Sequence, residues 1–161
     1  MNNEHFIEFN IEEQKQKVFL GKNSDKYFLI DPSDMNAPIR MKEGIEKLET
    51  HFKAEAEKHG VSGEDINTIS LATGDLETDI ETLKKEDEFV KKIVDEIFGE
   101  GTSCVVFGQA NALSLGIDGV CYYEKFINSV LPLYEKTYKT RINKLSSRAE
   151  LYMKKKGKHS K

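Results

Sequence analysis

The sequence predicts an α+β fold that is mainly α. It comprises a small N-terminal antiparallel β-meander, a bundle of three to four helices, and a short helical corner before a long C-terminal helix. Three observations predict this fold class. Short runs rich in Phe, Ile, Val and Tyr lie within residues 6–30, and apolar residues recur at helical spacing from residue 39 onward. Charged residues reach 32% against 38% hydrophobic ones, which favours long solvated helices over a compact sandwich.

A chain of 161 residues is long enough for one domain with a hydrophobic core, but it is short for two independently stable domains. We expect a single domain over residues 1–153, with the meander in 1–31 and the helical part in 34–153. The lysine-rich residues 154–161 are typical of a disordered basic tail.

Three strands are expected in the meander. The first run, near residues 6–11, alternates imperfectly, while Val18 with Leu20 and Phe28 with Ile30 share a face in the second and third runs. Residues 21–25 (GKNSD) predict the turn between the last two strands. A meander this small is marginally stable alone, so helices must cover it.

The first helix is predicted to begin between Asp34 and Pro38 and to end at His59-Gly60, where glycine fits a C-terminal cap. Its apolar stripe comprises Ile39, Met41, Ile45, Leu48 and Phe52. A second helix starts near Ser62, and Gly74 could bend it. Its near-heptad stripe, which Thr73 and Asp87 interrupt, comprises Ile66, Ile69, Leu76, Ile80, Leu83, Val90, Val94 and Ile97.

Residues 95–116 (DEIFGEGTSCVVFGQANALSLG) form a glycine-punctuated, nearly uncharged stretch. A Walker loop requires lysine after its last glycine, but Gln109 follows Gly108. A dinucleotide loop follows a strand and ends in glycine, whereas GEGTSC follows a helix and ends in Cys104. We therefore predict a corner: Gly99 ends one helix, and Thr102 caps a short helix that Gly108 ends. Its apolar side chains are compatible with core packing or with docking of a partner.

The final helix is predicted from an aromatic segment after residue 118, and Pro132 should kink it near Asn128. Its broad apolar face comprises Tyr123, Phe126, Ile127, Val130, Leu131, Tyr134 and Tyr138. The apolar stripe of the preceding helix is compatible with packing on this face within one chain. The same stripe is equally compatible with contact between two copies of the chain in a homo-oligomer.

No residue pattern points to catalysis, a cofactor or a metal. The two cysteines form no CxxC motif, and His51 and His59 are eight residues apart rather than four. Carboxylates alternate with lysines as on solvated helix faces. A net charge of -4 makes nucleic acid an unexpected partner, and no apolar run is long enough to span a membrane. We expect a cytosolic, non-enzymatic protein.

Two motifs carry a family resemblance, DEIFGEGTS..VFG..N.LSL from Asp95 and YEKFINSVLPLYEK from Tyr123. Over residues 88–136 the chain resembles small tail-morphogenesis proteins, including tail assembly chaperones, of long-tailed phages and prophages of Gram-positive bacteria. The resemblance implies a protein of the host bacterial cytoplasm that binds the tape measure protein, keeps its apolar helices soluble and helps to recruit tail tube subunits.

Candidate contacts with a partner lie in the corner and on the final helix, and comprise Phe98, Val105, Val106, Phe107, Leu113, Leu115, Tyr123 and Phe126. Two other functions remain open. The first is a structural virion subunit, such as a tail tube, completion or connector protein, whose strand edges pair between copies. The second and weaker one is a nucleic-acid binder that acts through the basic tail.

Overall fold

The computed structural model describes His5 and residues 7–9, 14–58 and 74–157, and these form a two-stranded sheet and four helices. The predicted fold class, α+β and mainly α, is confirmed. The elements in chain order are β1 (Gln16–Phe19), β2 (Tyr27–Ile30), α1 (Ala37–Lys58), α2 (Leu76–Phe98), α3 (Thr102–Phe107) and α4 (Tyr122–Gly157).

The sheet is an antiparallel hairpin in which Val18 lies opposite Phe28. Alternation along β2 buries Phe28 and Ile30 and leaves Tyr27 and Leu29 exposed, as expected for a half-buried strand. The second and third predicted strands are thus confirmed. Residues 7–9 of the first predicted strand lie in no strand, and residues 6 and 10–13 are outside the described part of the chain. The described residues therefore form a hairpin rather than a meander.

Helix α1 begins within the predicted interval. The Asp34 carboxylate accepts a hydrogen bond from the Asn36 N–H at 2.9 Å and pairs with Arg40 at 2.6 Å. Ile39 was expected to face the core but is 53% exposed. The predicted end of this helix, at His59-Gly60, lies outside the described residues. The buried face comprises Ala37, Met41, Gly44, Leu48, Phe52 and Ala56.

The core forms where α1 meets the C-terminal half of α2. At Gly44 the two helices approach closely, since a Cβ there would lie 2.4 Å from Cδ1 of Ile97. Glycine weakens a helix on its own, but at this position it allows the contact. Val90, Ile93, Val94 and Ile97 are buried on α2. The main helical partner of α2 is therefore α1, and not the final helix.

The N-terminal half of α2 keeps its apolar stripe in solvent. Leu76 is 73% exposed, Ile80 58% and Leu83 39%. The earlier repeats of the predicted stripe, with Ser62, fall in residues 59–73, outside the described part. Gly74 has a φ of 87° and precedes Asp75, the N-cap of α2.

Helix α4 closes the core over the sheet. The Phe126 ring makes edge contacts with Phe28, Phe98 and Phe107 at centroid distances of 5.4, 5.1 and 6.2 Å. The helix continues on both sides of Pro132. It reaches Gly157, so residues 154–157 of the segment expected to be disordered are helical, whereas 158–161 lie outside the described residues. None of the described helices is long and apolar enough to cross a membrane.

Candidate functional site

Two glycines build the corner between α2 and α3. Gly99 has a φ of 113° and donates its N–H to the Asp95 carbonyl at 2.9 Å, which ends α2. Gly101, with a φ of 85°, is the N-cap of α3. The prediction that Thr102 caps this helix is therefore wrong: Thr102 is its first residue and is buried. Gly108 ends α3 as predicted, by donating its N–H to the Cys104 carbonyl.

The missing side-chain cap of α3 is supplied from α2. Oδ1 of Asp95 accepts the Ser103 N–H at 2.7 Å, and Oδ2 accepts the Ser103 hydroxyl at 2.9 Å. A carboxylate in this position satisfies an otherwise unpaired N–H and complements the positive end of the helix dipole. Asp95 thus fixes the angle between the two helices.

Asp87 anchors the chain after α3. Its Oδ1 accepts the N–H of the fully buried Ala112 at 2.7 Å, and its Oδ2 pairs with Lys91 at 2.7 Å. The sequence shows Asp87 only as an interruption of an apolar stripe. The structure gives the reason for that interruption, because a buried N–H without a partner is costly.

The predicted contact residues do not form one surface. Phe98, Phe107 and Phe126 are buried, at 8%, 7% and 7% exposure, as the packing interpretation of the corner predicts. Val106, Leu113 and Tyr123 are partly buried against the same core. Val105 is half-buried, and Leu115 is 61% exposed.

A groove of about 990 Å³ adjoins the corner. Its lining comes from hairpin residues 25–31, from the N-terminal end of α1, and from residues 97–105, which run from the end of α2 through the corner into α3. Tyr134 of α4 also contributes to its wall. Phe98 and Val105 line it, while the other six predicted contact residues do not. The sequence could not indicate this groove, because its walls come from segments about seventy residues apart in the chain.

Apolar residues form the floor of this groove, and charged residues form its rim. Phe28, Ile97 and Phe98 belong to the core, whereas Lys26, Arg40, Asp31 and Glu100 lie at the rim. Burial raises the pKa of Tyr134 to about 12, so its phenol remains neutral at physiological pH. None of the described lining residues is a histidine, so the exposed thiol of Cys104 has no imidazole base there.

A separate cluster joins His51 and Glu55 of α1 to Glu86 of α2. One possible metal-ligand atom from each residue lies within 4.8 Å of the other two. Sequence reasoning missed it by comparing His51 only with His59. The available signal was the four-residue spacing of His51 and Glu55, which places both side chains on one helix face.

No family model matches the chain, and no curated protein or solved structure matches it either.

Proposed function

We propose that the protein is a non-enzymatic phage tail assembly chaperone or adaptor. In this proposal its groove binds an apolar segment of the tape measure protein, and the protein helps to recruit tail tube subunits. The observation that supports this most is the groove between the hairpin and the α2–α3 corner, because it is concave, apolar at its floor and charged at its rim. The family motif around residues 95–108 forms one of its walls.

The size and composition of the groove suit a protein partner. Its volume of about 990 Å³ is at the upper end of the 300–1,000 Å³ that ligand pockets typically have, so it accommodates several side chains. One face of an amphipathic helix can place apolar residues on the floor while its polar residues meet the rim. Tyr27 and Leu29, at 37% and 43% exposure, add exposed apolar surface to the lining of the groove.

A second surface is available for tail tube subunits. Helix α4 has 36 residues and is therefore about 54 Å long. Beyond Tyr138 it exposes Ile142, Leu145 and Met153, at 38%, 53% and 75%. None of these residues lines the groove. One chain can thus contact two partners on separate surfaces, as an adaptor requires.

Co-expression with the tape measure protein tests the proposal. We expect the two proteins to elute together and the tape measure protein to remain soluble. Leu29→Glu should abolish the complex, because Leu29 lines the groove and the change adds a charge to an apolar part of its lining. The fold should tolerate this change, since Leu29 is exposed and lies opposite Lys17.

Leu76→Glu is the matched control, since Leu76 is 73% exposed on α2 and does not line the groove. It should leave the complex intact. Loss of the complex in Leu76→Glu but not in Leu29→Glu would place the contact on α2 instead. Absence of any complex with the unmodified chain would refute the chaperone proposal.

A structural virion subunit is the second candidate, because within the described residues each strand of the hairpin has only one partner strand. Strand edges of this kind can pair between copies of a chain. Mass spectrometry of purified particles separates the two functions. The chaperone proposal expects the protein to be absent, whereas stoichiometric amounts would favour the subunit.

A further inference from the structure

We propose that His51, Glu55 and Glu86 form a binding site for a divalent transition-metal ion of the Zn²⁺ type. One imidazole and two carboxylates match the ligands that this ion accepts in proteins. The site lies between α1 and α2, and none of its three residues lines the groove. It is therefore a second site, independent of the proposed chaperone function.

The three side chains converge from two helices. His51 and Glu55 are one helical turn apart on α1, and Glu86 approaches from α2. Nε2 of His51 lies 2.6 Å from Oε2 of Glu86, a hydrogen-bond distance. Two ligands of a tetrahedral zinc ion lie about 3.4 Å apart, given bonds of about 2.0–2.2 Å. For this pair of ligands, an outward shift of less than about 1 Å would make room for the ion in place of the shared proton.

Burial makes a cation favourable at this place. Glu86 is only 6% exposed, and a buried carboxylate needs a compensating charge. His51 lies beside this carboxylate, and Lys58 pairs with Glu55 from the solvent side, with its Nζ 2.6 Å from Oε1 of Glu55 and its side chain 68% exposed. A divalent ion would replace both the ammonium group of Lys58 at Glu55 and the proton that His51 and Glu86 share. Lys58 is thus one competitor that the ion must displace.

Aromatic rings hold the imidazole in position. The ring of His51 stacks on Phe89 at a centroid distance of 4.0 Å and meets the edge of Phe52 at 5.5 Å. This packing directs Nε2 toward Glu86 before any ion binds. Three protein ligands leave the fourth position of a tetrahedral ion for water or another ligand.

The test uses the tag-free full-length chain, stripped of metal with a chelator. Titration with ZnCl₂ alone should show saturable one-to-one binding by calorimetry, and CoCl₂ should give the visible absorption of a protein-bound ion. His51→Gln and Glu86→Gln should each weaken binding by at least about tenfold. Lys58→Gln should tighten binding, because it removes the competing ammonium. Thermal melting in the presence of chelator checks that each variant folds.

Glu57→Gln is the matched control, because Glu57 is exposed on α1 and the change in charge is the same. It should leave the affinity unchanged. If Glu86→Gln does not fold, Glu55→Gln replaces it in the test and should also weaken Zn²⁺ binding by at least about tenfold, since Glu55 is only half-buried and the fold should tolerate the change. Lack of Zn²⁺ binding, or binding that persists in both His51→Gln and the glutamate variant, would overturn the proposal. If Lys58→Gln did not bind Zn²⁺ more tightly, the proposal would also be overturned, and the contact between His51 and Glu86 would be only a structural ion pair.

Discussion

Phe107→Asp should unfold the protein. The Phe107 ring is 7% exposed and packs against Phe126, so the substitution places an unpaired carboxylate in the aromatic core. Burial of a charge without a partner costs several kcal/mol, a large part of the stability of a domain of this size. Circular dichroism and size-exclusion chromatography should show loss of the helical signal and of the compact elution volume.

Leu115→Asp is the control for this change, since Leu115 belongs to the same sequence motif but is 61% exposed. Its effect on the free energy of unfolding should stay within about 0.5 kcal/mol. A folded Phe107→Asp variant with unchanged stability would contradict the packing interpretation of the corner. If such a variant lost only partner binding, the corner itself would be the docking site.

Phe126→Ala should lower the free energy of unfolding by about 3–5 kcal/mol. The ring touches three other aromatic rings, from β2, α2 and α3, so its removal leaves a cavity where these elements meet α4. At about 2–4 °C per kcal/mol for a chain of this length, the thermal midpoint should fall by about 6–20 °C. Thermal or urea denaturation measures the change.

The control is Phe9→Ala, which removes the same side chain from a position that is 76% exposed. It should change the midpoint little. Equal losses in the two variants would mean that Phe126 does not join the sheet to the helices as the structure shows.

Local sequence signals predicted the elements but not their partners. The glycines at 99 and 108 marked helix ends correctly, because a positive φ at a helix end is a local requirement. The alternation in β2 and the spacing in α1 also identified buried residues such as Phe28 and Leu48. Such patterns depend only on neighbours in the chain.

Contacts between distant residues account for what the sequence did not show. The near-heptad stripe of α2 extends on both sides of Asp87, yet Val90 and Val94 are buried while Leu76 is exposed, and the main helical partner of α2 is α1. The sequence showed Asp87 only as an interruption of this stripe and indicated no role for Asp95, but each accepts a backbone hydrogen bond from the corner or from the chain after α3. The groove and the metal-ligand cluster likewise require helices or strands to meet, and periodicity does not specify which of them do.

Cys104 offers the most direct test of partner binding in the groove. It is exposed and lines the groove, and Cys121→Ser leaves it as the only thiol in the chain. We expect the rate of its alkylation by a maleimide to fall to a small fraction when the tape measure protein is bound, and to recover when Leu29→Glu prevents the complex. An unchanged rate in a complex that elutes as one species would show that the partner binds elsewhere, and would contradict the assignment of the groove.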